Sequence, residues 1–252
     1  IYSYPEFLYE LSKNKIRIVV GGSHGKTTIT AMILHALQNL NIETDYMVGA
    51  KLEGFEVMVK TDESAKYMVL EGDEYLASTL DRRPKFHLYK PNIAIINGIA
   101  WDHVNVFPTF ENYVEQFKIF ADKIEPDGTL IYCDEDENVR KIASNARKDI
   151  RLLPYKALDY VIENGDTVLS YKGKKYTMQV FGHHNMINMH AAMLACECIG
   201  VKNEDFLHAM TSFKGASKRL ELLKKSSCRT LRLRLDRRSM KDWKRSSFFL
   251  KQ

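Results

Sequence analysis

The stretch Val19-Val20-Gly21-Gly22-Ser23-His24-Gly25-Lys26-Thr27-Thr28 decides how the rest of this chain is read. An apolar, β-branched run from Ile16 to Val20 leads into it, and a helix-favouring run from Ile29 to Leu40 follows. Strand, glycine loop and helix in that order form the context of a phosphate-binding P-loop. The glycines let the backbone turn so that successive N–H groups face one anion. The helix start adds unpaired donors and a partial positive charge. In this reading Gly22, Ser23, His24, Gly25, Lys26, Thr27 and Thr28 bind a nucleotide. Lys26 reaches the β- and γ-phosphates, and the Thr27 hydroxyl holds Mg²⁺. The loop is a short variant, GxxGKTT counted from Gly22, because Val20 stands where the full spacing has its first glycine.

Around this motif the composition is that of a globular α/β protein. The 252 residues suffice for one large or two small domains, and 45% hydrophobic and 27% charged residues are ordinary values. No apolar run approaches membrane-spanning length, which excludes a helical membrane protein. Cys133, Cys196, Cys198 and Cys228 form no CxxC pair and no zinc spacing, so a reducing cytoplasm is the expected location. The net charge of +5 is unevenly spread. Residues 224–252 carry eleven Lys/Arg and two Asp/Glu, whereas the other 223 residues hold 26 basic and 30 acidic side chains. A mildly acidic body therefore carries a basic tail, and overall pI is no argument for nucleic-acid binding.

Read in order, the chain opens with Ile rather than Met and is expected to be part of something longer. Tyr4-Pro5-Glu6 begins a short helix. Tyr46 to Val48 and Val57 to Val59 read as short strands after the P-loop helix. Two buried-type strands follow, Tyr67 to Leu70 and Ile93 to Ile96, ending in Glu71-Gly72-Asp73-Glu74 and Asn97-Gly98-Ile99-Ala100-Trp101-Asp102-His103. Polar groups at the carboxyl ends of continuous apolar strands sit where open α/β sheets bind ligands. Helical spacing over 109–123 and 136–146 alternates with strands at 129–132 and 152–155. Turns at Asn164-Gly165 and Lys172-Gly173 predict an antiparallel meander over 160–181 at the sheet's edge. Helices over 186–199 and 203–213 close the body. The fold class is α/β: a P-loop-type, mostly parallel sheet flanked by helices, with a small antiparallel edge.

With these residues in hand, residues 1–223 resemble the Mur ligases, the ATP-dependent amide-bond-forming enzymes of peptidoglycan assembly. GGSHGKTT at 21–28, EGDEY at 71–75, WDH at 101–103 and GHHNMINMHAA at 182–192 carry the resemblance, in the family's order, with KRLE at 218–221 in support. Within the family the murein peptide ligase branch is most similar. Its features here are Tyr4-Pro5-Glu6-Phe7-Leu8, Asp81-Arg82-Arg83-Pro84-Lys85-Phe86 after Glu74-Tyr75, and Val106-Phe107 after Asp102-His103. The L-alanine-adding branch ranks second. The resemblance implies the central ATP-binding domain of a three-domain enzyme, with the preceding UDP-binding and following amine-binding domains absent. Its implied substrates are UDP-N-acetylmuramate and a murein tripeptide, or L-alanine. The muramate carboxylate would be activated as an acyl phosphate and then attacked by the amine.

The resemblance also assigns roles. Lys26, Glu71 and His103 are the expected catalytic residues, and Thr27, Glu71 and His103 the expected metal ligands, His103 at a second metal. Gly98, Ala100 and Asn105 depart from the family around that second site. His184, Asn185 and Asn188 match an element that contacts adenine, although Asn185 also suits simple helix N-capping. Arg219 matches a closing arginine that meets phosphate or ribose, and His24 lies beside phosphate or the acyl group. Arg82, Arg83 and Lys85 either meet anionic substrate or form a solvated charge run. Lys118 reads as a solvated helix lysine.

The tail, 224–252, fits neither the family nor a stable domain, since twenty-nine residues build no core. It is expected to be a non-native reading of the coding DNA or disordered. A genuine basic arm would instead make the chain a non-catalytic nucleotide-binding module that meets nucleic acid or another anionic surface.

Overall fold

A computed structural model describes residues 2–52, 54–216, 220–222 and 233–235, the last two segments as backbone only. At its centre lies β1 (Ile16–Gly21), buried from Arg17 onward, with the P-loop helix α2 (Lys26–Asn39) directly after the glycine turn. The sheet continues with β2 (Thr44–Met47), β3 (Val59–Lys60), β4 (Tyr67–Glu71), β5 (Ile93–Ile96), β6 (Thr129–Cys133) and β7 (Arg151–Tyr155). Their spatial order is β3-β2-β4-β1-β5-β6-β7, parallel throughout except for β3.

Both faces of this sheet are covered, which explains why its inner strands are continuously apolar rather than alternating. Ile18, Val20, Val69, Ile95 and Ile131 turn to one face. There they pack with α2, α5 (His183–Cys198) and α6 (Asn203–Met210). Val19, Met68, Leu70, Ala94, Ile96 and Leu130 turn to the other, against α1 (Tyr4–Ser12), α3 (Phe110–Asp122) and α4 (Glu137–Ser144). Each such buried aliphatic contributes about 1.5–3 kcal/mol. The helices begin where the sequence supplies a cap. Thr109 accepts the Asn112 N–H before α3, and Asp136 accepts those of Asn138 and Val139 before α4.

Arg17 interrupts the apolar pattern of β1, yet it is only 2% exposed. Its guanidinium donates to the carbonyls of Ser12, Lys13, Lys15, Tyr89 and Lys90 and to Glu125, tying α1 and two loops to the strand. Burial is tolerated because the donors are satisfied.

The expected meander forms, but not at the edge of the main sheet. The strands β8 (Tyr160–Glu163), β9 (Asp166–Tyr171) and β10 (Lys174–Met178) make a separate three-stranded sheet. Its inward residues Leu169, Tyr176 and Met178 join the α2–α5 core, and this burial holds it there. The antiparallel edge of the main sheet is β3 instead. Of the tail only β12 (Leu233–Leu235) is described, paired antiparallel with β11 (Leu220–Leu222). The nature of 224–252 otherwise lies outside the described residues, as does Arg219. No helix among the described residues is long and apolar enough to cross a membrane.

Candidate functional site

The helices after β1 and β5 cover opposite faces of the sheet, which opens a crevice at the carboxyl ends of these neighbouring strands. The glycine loop fills its rim. Gly22 and Gly25 have φ of +131° and +77°, backbone that side chains rarely adopt. A Cβ on Gly25 would lie 2.3 Å from Asn97 Nδ2 and 2.5 Å from Asn188 Oδ1, so the loop approaches its wall as closely as glycine permits. The Ser23 N–H donates to the Gly98 carbonyl at 2.9 Å, and the Ile29 N–H closes the first helical bond to Gly25. The first-turn amides, Lys26 to Thr28, therefore have no partner within the helix and remain for an anion.

A buried amide network shapes that loop from below. Asn97 is 2% exposed and donates through Nδ2 to the His24 carbonyl (3.1 Å) and Asn188 Oδ1 (3.0 Å), while its Oδ1 accepts the Tyr155 hydroxyl at 2.6 Å. On the other side Ser23 Oγ meets the Tyr113 hydroxyl and accepts the Ala100 N–H, each at 2.9 Å. Asn97, Tyr155 and Tyr113 were not singled out in the sequence. Asn97 is the first residue past an apolar strand, a signal that placed it near a ligand edge without revealing its role.

Two carboxylates frame the loop's cationic end. Thr27 Oγ1 donates to Glu71 Oε1 at 2.7 Å, and the Gly49 N–H donates to Glu71 Oε2 at 2.9 Å. Lys26 Nζ instead contacts both oxygens of Glu74 at 2.9 and 2.8 Å and the Gly22 carbonyl at 2.6 Å. Burial raises the Glu74 pKa, and Lys26 opposes that rise. The structure thus brings Thr27 together with Glu71, but groups His103 with Asp73 and Glu74, their ligand atoms all within 4.8 Å of one another. Burial pushes the Asp73 pKa up, but the hydrogen bond from Lys85 at 2.6 Å and the one from the Tyr75 N–H bring it below its ordinary value. A hydroxyl and a carboxylate are the oxygen donors that Mg²⁺ takes, so Thr27 and Glu71 fit that ion.

The start of α5 borders the same opening. Gly182, with φ of +88°, is its N-cap, so Asn185 does not cap this helix; its amide donates back to the Phe181 carbonyl at 2.7 Å. Helix begins three residues before the expected Met186 because glycine supplies the turn. His183 and His184 are both exposed, and His183 contacts Glu135 at 3.0 Å. Surrounding protein lowers the His184 pKa, with His183 and His24 adding to the effect. The His24 ring is open to solvent on one side, yet the packed loops lower its pKa; Asp136 opposes and Lys26 reinforces this.

Arg82, Arg83 and Lys85 part company. Lys85 serves Asp73, while Arg83 is held by Asp81 at 2.7 Å. Arg82 and Arg83 line a cleft of about 490 Å³ with His87, Gln116 and Lys123. Lys118 is exposed beside Glu115, as expected of a solvated lysine.

Fold and loop together define the class: a P-loop α/β domain with oxygen donors placed at the loop's helix. Residues 20–196 match the family model of the Mur ligase middle domain, and the chain belongs to that family. The family's members are ATP-dependent amide-bond ligases, typically using Mg²⁺. The chain is 31% identical over 235 residues to the UDP-N-acetylmuramate–L-alanine ligase of Desulfitobacterium hafniense, covering 88% of this chain and 49% of that one. It is 27% identical over 232 residues to the UDP-N-acetylmuramate–L-alanyl-γ-D-glutamyl-meso-2,6-diaminoheptandioate ligase of Haemophilus influenzae, covering 86% and 50%. Among solved structures, the corresponding diaminopimelate ligase from Neisseria meningitides superposes with a TM-score of 0.75 at 22% identity, over 84% of this chain and 71% of that one. The chain spans about half the length of the curated relatives it matches.

Proposed function

We propose that residues 1–223 are the central, ATP-binding domain of a cytoplasmic ligase that joins UDP-N-acetylmuramate to a murein tripeptide. The observation that carries this reading is the Thr27–Glu71 hydrogen bond at the unpaired start of α2, within a chain of the Mur ligase family. In this proposal the free amides of the first turn and Lys26 gather the β- and γ-phosphates, and Thr27 and Glu71 hold Mg²⁺. The metal ion, when bound, neutralises charge on the phosphate oxygens. Lys26 keeps the terminal phosphoryl group aligned with the muramate carboxylate, so that positioning and charge cancellation do the catalytic work. Asn188 is committed to Asn97 and acts through loop shape, whereas the exposed His184 ring is the group free to meet the base. His103, beside Asp73 and Glu74, is the residue that would meet a second cation.

A second reading has its own support. Relatives matched at 29% and 31% identity are named L-alanine ligases. The preceding and following domains that would hold UDP sugar and amine are part of the proposal. Phosphate release by the intact gene product, given ATP and UDP-N-acetylmuramate, decides between the two. Stimulation by the tripeptide and not by L-alanine supports the first; the reverse result replaces it with the second. No stimulation by either defeats both.

A further inference from the structure

The P-loop lysine does not stand free to receive a phosphate. Its ammonium has three protons, and the structure engages it three times: at both Glu74 oxygens and at the Gly22 carbonyl. The pair is anchored at its acidic end. The Glu74 side chain is 1% exposed, while that of Lys26 retains 16%. The Glu74 backbone is fixed on either side, because the Gly72 N–H donates to the Val20 carbonyl and the Lys85 N–H donates to the Tyr75 carbonyl. Glu71, three residues earlier, is held by neutral donors and takes no lysine.

A nucleotide phosphate offers Lys26 the same kind of partner, two anionic oxygens, from the solvent side. One ammonium cannot serve both at full strength. We infer that Glu74 is a positioning residue that holds Lys26 in the nucleotide-free domain and competes with the phosphates for it, so that nucleotide affinity reflects the exchange of one partner for the other. The inference rests on the nucleotide reading above. On exchange the carboxylate is left facing Asp73, already paired with Lys85, and His103.

Calorimetric titration of the chain with MgADP tests this in wild type, Glu74→Gln, Lys26→Met and the double variant. Glu74→Gln removes the competitor and tightens binding about tenfold, a direction that structural damage would not produce. In the Lys26→Met background the same change alters affinity less than threefold, because the contested lysine is gone. Glu74→Asp keeps the charge but is one methylene shorter, and tightens binding about threefold; it also stands in should the glutamine variant not fold. Thermal unfolding provides a second arm: Lys26→Met melts below wild type, and adding Glu74→Gln recovers the loss. Unchanged or weaker binding by a folded Glu74→Gln overturns the inference. Equal tightening in both backgrounds also overturns it, since the carboxylate then acts as a distant charge. A folded wild type that takes up no MgADP defeats the nucleotide reading, and the inference with it.

Discussion

Glu71 and Glu74 lie three residues apart on the same strand end, and both are buried, at 8% and 0% exposure. Their environments differ in kind. Glu71 is met by a hydroxyl and a backbone N–H, neutral donors that leave its charge uncancelled. Glu74 is met by an ammonium, which cancels it. A carboxylate held by neutral donors is ready for a cation, whereas one held by lysine is stable until the lysine is withdrawn. One turn of loop thus separates a receptive anion from a spent one.

The largest effect that would break this contrast comes from Lys26→Met. It strands a buried charge and is expected to cost about 3–5 kcal/mol in urea unfolding. A loss under about 1 kcal/mol would mean that Glu74 is protonated or hydrated when alone.

His87 sharpens the contrast, because it is buried with a neutral carbonyl, that of Gln116, as its ring's hydrogen-bond partner. Burial lowers its pKa to about 4 from 6.5, against the pull of that carbonyl, with Lys123 and Arg83 adding to the drop. Between those values the unfolded chain binds a proton that the folded chain refuses. Its contribution to stability is therefore full above about pH 6.5 and falls as the pH drops toward 4. Over that window wild type should lose about 3 kcal/mol more than His87→Gln, measured by urea unfolding across the range.

A smaller effect is expected from Tyr155→Phe, which leaves the Asn97 oxygen without its donor at about 1–2 kcal/mol. MgADP affinity should fall with it, because Asn97 shapes the loop. The least effect on stability, under about 1 kcal/mol, is expected from Glu71→Gln, since the amide oxygen can still accept from the Gly49 N–H while the amide NH2 donates to the Thr27 hydroxyl oxygen. There the change appears in binding: the gain in ADP affinity on adding Mg²⁺ should drop at least tenfold, as titrations with and without the metal would reveal.

The P-loop and the parallel sheet were legible because both follow from local pattern: β-branched runs, glycines and a lysine at the helix start. Thr27 and Glu71 were legible as a pair because the strand that ends at Glu71 was expected beside the strand that leads into the P-loop. The Lys26–Glu74 contact was not, because spacing places an acid near the loop without saying which side chain it will meet. Asn97, just past β5, and Tyr155, at the end of β7, are 58 residues apart and meet only through the sheet order. The misplaced meander has a similar cause, since hairpin turns are local signals and the partner of a sheet edge is not. The Asn185 capping alternative failed because Gly182 already supplies the helix start.

Asn97 is followed by Gly98, and Asn164 by Gly165. Asparagine before glycine is the pairing most prone to lose ammonia on standing, through attack of the next backbone nitrogen on the side-chain carbonyl. The two sites will age differently. Asn164 sits on an exposed hairpin turn, where a new carboxylate stays in solvent. At Asn97 the same one-dalton change would put an oxygen against the His24 carbonyl and Asn188 Oδ1, two acceptors it now serves as donor. Burial slows the reaction there, so a stored sample acquires its harmless lesion first and its disabling one only as it begins to open.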